Sequence, residues 1–167
     1  MTMKPFTFFK VGAVALFLLV VLCCKKKKTD DNNNNNIPVI NCNLSMATID
    51  ANDTIYNIIA DTAYATGNNT YYTEHKISNI HGCSVEFEGA TFPTAGTYSI
   101  TPIFNEVIPG SKKVYIQYFK NGISYIGQGG ECKLTGAGTG AILEFCKTKF
   151  KESFGDEKTI SLKSDSE

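Results

Sequence analysis

Lys112-Lys113-Val114-Tyr115-Ile116-Gln117-Tyr118-Phe119-Lys120, then Asn121-Gly122, then Ile123-Ser124-Tyr125-Ile126-Gly127, is the stretch that decides the fold. Two runs rich in β-branched and aromatic residues are separated by the dipeptide that most strongly marks a tight hairpin. Both central residues of a type I′ turn need positive φ, which glycine adopts freely and asparagine tolerates. A two-residue loop pairs Tyr118 with Tyr125 and Ile116 with Gly127, placing one apolar face on both strands.

Working outward, the same vocabulary recurs at short spacing. Residues 44–50 and 54–59 flank Asp50-Ala51-Asn52-Asp53, and residues 70–79 follow Gly67-Asn68-Asn69. Residues 83–90 alternate, with Val85 and Phe87 on one face and Glu86 and Glu88 on the other. Residues 96–101 begin after Pro93-Thr94-Ala95, residues 131–135 and 142–150 flank Gly136-Ala137-Gly138-Thr139-Gly140, and residues 158–163 form a last short run. Ile55, Ile58, Ile59 and Ala63 also fit helical spacing, but Tyr56, Thr62 and Tyr64 are poor helix formers, so the segment reads as strand. Eight or nine short strands with frequent turns predict an all-β domain, a single antiparallel β-sandwich or open barrel, over residues 37–164. Residues 165–167 read as a disordered tail.

The start of the chain reads differently. Lys4 and Lys10 precede an unbroken apolar run of 12 residues, 11–22, followed by Cys23 and Cys24. A run of that length suits an export signal and falls short of the roughly 20 residues of a spanning helix. Val21-Leu22-Cys23-Cys24 resembles the end of bacterial lipoprotein signal peptides, in which a small residue stands directly before a cysteine that becomes lipid-modified. The resemblance implies a signal peptide over residues 1–23 and lipid on Cys24, with Cys23 as the alternative register. Residues 24–36 hold four lysines, two aspartates and five asparagines, too polar to offset ordering entropy, so they read as a flexible linker. Its twelve residues beyond Cys24 would span roughly 20 Å, holding the domain near the membrane.

A second resemblance rests on Met46-Ala47-Thr48-Ile49-Asp50, on Phe92-Pro93-Thr94-Ala95-Gly96-Thr97-Tyr98-Ser99-Ile100, and on the turn from Tyr125 to Gly130 leading into Cys132. These words are similar to small Gram-negative lipoproteins of a β-sandwich-like family without assigned function. That family implies an outer-membrane location, facing the periplasm or the cell surface, and lends no catalytic residues.

Composition excludes other classes. The chain has 167 residues, 16 lysines against 16 acids, and neither arginine nor tryptophan. Zero net charge without arginine leaves no basic footprint and no bidentate fork, so a nucleic-acid partner is not expected. An apolar content of 43% is too high for a disordered chain.

Cys42, Cys83, Cys132 and Cys146 lie beyond the export signal, where four cysteines predict two disulfides with three connectivities open. A Cys132–Cys146 staple needs a three-residue loop that sets Leu134 against Glu144. A two-residue Gly138-Thr139 loop aligns Leu134 with Leu143 and puts the two cysteines on opposite faces. A metal or nucleophile reading would recruit His75, His81, Cys83 and Glu74, but no pair stands at zinc-motif spacing; no metal or cofactor is expected. Asp50-Ala51-Asn52-Asp53 opens like a calcium loop, yet Ile55 occupies the position that requires glycine, so it reads as a hairpin turn. Gly127, Gly129 and Gly130 precede a strand, not a helix, and so lack phosphate-loop geometry. The aromatic residues carry the binding hint: Tyr115, Tyr118 and Tyr125 on the central hairpin suggest a surface for a glycan or an envelope protein. The expectation is a lipid-anchored, non-enzymatic binding or structural module. The alternatives are a small exported hydrolase, or a carbohydrate-binding module, with a site formed by distant loops.

Overall fold

The computed structural model describes residues 42–166, so the signal segment, Cys23, Cys24, the linker and Glu167 lie outside the described residues. The central hairpin forms as its sequence dictates. β7 (Lys113–Lys120) and β8 (Ile123–Gly127) set Tyr118 opposite Tyr125, and Asn121 and Gly122 turn between them with φ of 53° and 80°. On the other edge of β7 lies β5 (His81–Glu88), with Val85 opposite Ile116, followed by β4 (Thr70–Ser78) and β3 (Ala60–Ala65).

The remaining strands complete a circuit. β10 (Ala141–Glu152) pairs along its length with β11 (Glu157–Ser166), which carries β1 (Thr48–Ala51) and then β2 (Thr54–Asn57). From β10 the wall returns to β7 by two routes. One is β8; the other is β9 (Glu131–Thr135) and β6 (Gly96–Ile100), the latter meeting β7 in a short parallel ladder. β2 and β3 are pieces of one bent segment: the Ile58 N–H donates to the Ala47 carbonyl and the Ile59 N–H to the Lys76 carbonyl. The sheet is thereby closed into a barrel with extra strands, and closure removes most of the edge an open sheet exposes.

The barrel replaces the sandwich alternative, and eleven strands replace eight or nine. The single strand expected over residues 54–59 divides at Ile58, where the segment leaves β1 for β4, and Ile55 and Ile59 are exposed and are not core positions. Asp165 and Ser166 do not form a disordered tail: they extend β11 opposite Ile142 and Ala141. The β9–β10 register is the one that matches Leu134 with Leu143, as apolar facing demands.

Apolar side chains fill the interior. Val85, Phe87, Ile116, Phe145, Phe150, Ile160 and Leu162 are essentially inaccessible to water. Each such side chain contributes about 1.5–3 kcal/mol by burial. Phe145 and Phe150 approach at 6.0 Å between ring centres. Phe150→Ala is therefore expected to lower stability by about 3–5 kcal/mol in urea unfolding. Phe154→Ala, at a side chain 93% exposed, should change it by less than about 0.5 kcal/mol.

Candidate functional site

Three turns meet at one end of the barrel: Asn52-Asp53 between β1 and β2, Asn121-Gly122 between β7 and β8, and the turn joining β10 to β11. Asn52 and Asp53 have φ of 51° and 62° and form the hairpin turn that the composition predicts, while Asp50 and Ala51 belong to β1, paired with Ile55 and Thr54. Among these turns a cavity of about 350 Å³ opens, walled by Tyr56, Tyr118 and Tyr125 with Lys120 and Lys158 at its sides.

Alternation along the strands decides which tyrosines arrive there. Tyr118 and Tyr125 point inward and are 1% and 4% exposed, whereas Tyr115 lies on the other face of β7, its ring edge-on to Phe104. The three do not form one exposed aromatic surface. Two of them instead form the floor of the cavity, and the odd-numbered Tyr115 is excluded by the pleat.

Polar contacts fix this floor. The Tyr118 hydroxyl shares a 2.6 Å hydrogen bond with His81 Nε2, and Tyr56 packs edge-on to the same imidazole at 4.8 Å. The Tyr125 hydroxyl donates to Asp156 at 3.1 Å. Lys120 Nζ donates to the Tyr56 hydroxyl at 3.3 Å and lies over that ring, while Lys158 Nζ lies 4.7 Å from the centre of the Tyr125 ring and pairs with Asp156 at 3.2 Å. These are cation–π contacts, in which a ring face holds an ammonium group. Burial, and then the Lys120 charge, hold the His81 imidazole below its ordinary value, so it stays neutral at pH 7. Burial, followed by the neighbouring Tyr56, raises the Tyr118 phenol, which remains protonated. Burial pulls the Lys158 ammonium down, but its bonds to Asp156 and Tyr125 outweigh this and leave it raised and charged.

His75 is elsewhere, on β4 within the wall. Its Nδ1 is hydrogen-bonded to Asp61 on β3, and its Nε2 lies 3.3 Å from Thr73 Oγ1. Ser164 on β11 donates to the other Asp61 oxygen at 3.3 Å. The wiring is that of a hydroxyl–imidazole–carboxylate relay, yet Thr73 and His75 are buried, and none of the three lines the mouth cavity. The two histidines thus serve separate arrangements. Glu74 pairs with Lys76, and Glu86 and Glu88 accept hydrogen bonds from Thr70 and from Ser111 respectively.

The cysteines correct the two-disulfide expectation. Cys42 bonds Cys146, with Cα atoms 5.2 Å apart, while Cys83 and Cys132 are free and buried. The cause is strand position. Cys83 on β5 and Cys132 on β9 face inward with β7 and β6 between them, so neither stands opposite the other in a ladder. Cys146 sits where the β10–β11 ladder slips, within reach of Cys42. Glu144 lies close enough to Cys42 and Cys146 to complete a metal-ligand group, but the sulfur–sulfur bond occupies two of those donors.

Sequence reasoning did not single out Tyr56, Lys120 or Lys158. Lys120 carried a usable signal, since the residue before a tight Asn-Gly turn must stand at a barrel end. Comparison with family models, with curated proteins and with solved structures gives no match. What the fold and site define is a closed β-barrel domain with a tyrosine-floored, lysine-flanked mouth.

Two outcomes follow. Burial raises both free thiols, so peptide mapping after iodoacetamide should find Cys83 and Cys132 unmodified in native protein and both modified in guanidine. In Lys120→Gln, NMR titration should show the His81 pKa moving upward, because a like charge has been removed. Since folding lowers that pKa, stability from His81 is complete above the unfolded value near 6.5 and declines as pH falls below it.

Proposed function

We propose that the protein is a lipid-anchored envelope lipoprotein whose barrel is a non-enzymatic binding module, with the mouth cavity as its ligand site. The observation that carries the binding reading is the lining of that cavity. It offers three tyrosines, two lysines, two asparagine amides and the Thr54 hydroxyl, and no histidine, cysteine, serine or carboxylate. That inventory supplies hydrogen-bond donors and a partly exposed tyrosine, which recognise a ligand, and sets no imidazole or carboxylate base beside the Thr54 hydroxyl. Support for the anchor comes from the apolar run ending at Cys23-Cys24 and from the lysine- and asparagine-rich segment after it.

Metabolic palmitate labelling tests the anchor. The wild-type chain and Cys23→Ser should carry label and sediment with membranes, whereas Cys24→Ser should lose both properties. Label retained in Cys24→Ser would overturn the assignment to that thiol, and wild-type protein in the aqueous extract would overturn the anchor. For the mouth, the full chain in non-ionic detergent is applied to a glycan array. Signal lost in Tyr56→Ala is the expected result, and no signal from the wild-type chain would remove the sugar-binding reading.

A further inference from the structure

The mouth cavity has a charge character as well as a shape, and it narrows the ligand class on the assumption that the mouth is the binding site. Lys120 and Lys158 flank the cavity, and no carboxylate lines it. Asp156 offsets Lys158 from outside the lining, at 3.2 Å. Lys120 has no carboxylate partner among the described residues. Its ammonium is held by the Tyr56 hydroxyl and ring face, 5.3 Å from the ring centre. A ring face and a hydroxyl orient a cation without neutralising it, so a positive potential remains over a low-dielectric floor of tyrosine. The Asn121 amide and the Thr54 hydroxyl add neutral polar groups beside it. His81 beneath is uncharged at pH 7 and adds nothing to the potential.

Size sets the other limit. A cavity of about 350 Å³ lies at the small end of the roughly 300–1,000 Å³ usual for small-molecule sites. It suits a ring or two and not an extended chain. Tyr118 and Tyr125 are almost wholly buried, so the half-buried Tyr56 is the tyrosine placed to meet a sugar ring, while amides and hydroxyls reach its rim.

We propose that the barrel mouth binds an anionic sugar, a short saccharide bearing a carboxylate or a phosphate, with Lys120 engaging the anion and the half-buried Tyr56, beside the Asn52 and Asn121 amides, meeting the ring. Lys120 is the selective element, because Lys158 is already shared with Asp156.

The test uses the full chain in non-ionic detergent on three glycan sets: neutral, carboxylated and phosphorylated. Binding to one or both charged sets, exceeding the neutral set by about tenfold, is expected. Lys120→Gln should reduce the charged signal about tenfold, between the worth of an exposed ion pair and a buried one. The charged sets should thereby lose their advantage over the neutral set, and raised salt should weaken the charged signal more than the neutral one. Which charged set responds identifies carboxylate or phosphate as the anion. Equal binding to neutral and charged sets, unaffected by Lys120→Gln, overturns the anionic assignment and leaves the mouth site standing. No binding to any set overturns both. Lys158→Gln serves as a second variant: if it abolishes charged binding while Lys120→Gln does not, the assignment of the anion to Lys120 is wrong.

Discussion

Between Phe145 and Thr148 the ladder of β10 with β11 slips by one residue, and Cys146 and Lys147 stand out of register. Side chains alternate along a strand, so residues 145 and 150 would fall on opposite faces of a regular one. The extra residue reverses the parity, and both phenylalanines reach the core. It also bends the strand, so the first part of β10 serves β9 and the last three residues serve β8. Lys147 accepts a left-handed φ of 44°, and its N–H finds Ser161 Oγ at 2.8 Å. Without this bulge the wall would have no second route from β10 to β7, and Cys146 would not stand where Cys42 meets it.

Two polar arrangements complete what the ladders leave unfinished. Ser164, Asp61, His75 and Thr73 form a side-chain chain linking β11, β3 and β4 where β3 and β11 share no backbone ladder. At the mouth, His81 and Tyr118 join residues 37 positions apart and orient the ring that forms the floor. Buried groups of this kind are costly when unpaired and specifying when satisfied. The first holds the wall and the second shapes the cavity, so the two histidines have different duties despite their nearness in sequence.

The local half of this architecture was legible in the chain. Asn121-Gly122 fixed a register to the residue, and matching Leu134 to Leu143 chose the correct β9–β10 alignment, because both depend on turn chemistry and apolar facing. The closure was not legible. Ile55 and Ile59 lie on the outer surface, where their spacing imitates a buried periodicity, and so β3 stayed hidden. Lys147 is a poor residue for its backbone conformation, and no local pattern announces the bulge. The mouth draws on residues 51–56, 118–125 and 158, three segments that only the completed circuit brings together. Tyrosine content hinted at binding, but the pleat decided which tyrosines take part.

The Cys42–Cys146 bond closes a loop of 104 residues and joins the first described residue to the middle of a strand hydrogen-bonded on both sides. It also sets the load path. Tension applied to the chain ahead of Cys42 passes through sulfur into β10, where many ladder bonds must shear together. β1, only four residues long, would otherwise peel from β11 one bond at a time, but it lies downstream of the clamp and carries none of the pull. Reduction would return that strain to β1, so the oxidation state of one bond determines whether the barrel resists traction as a rivet or opens as a zip.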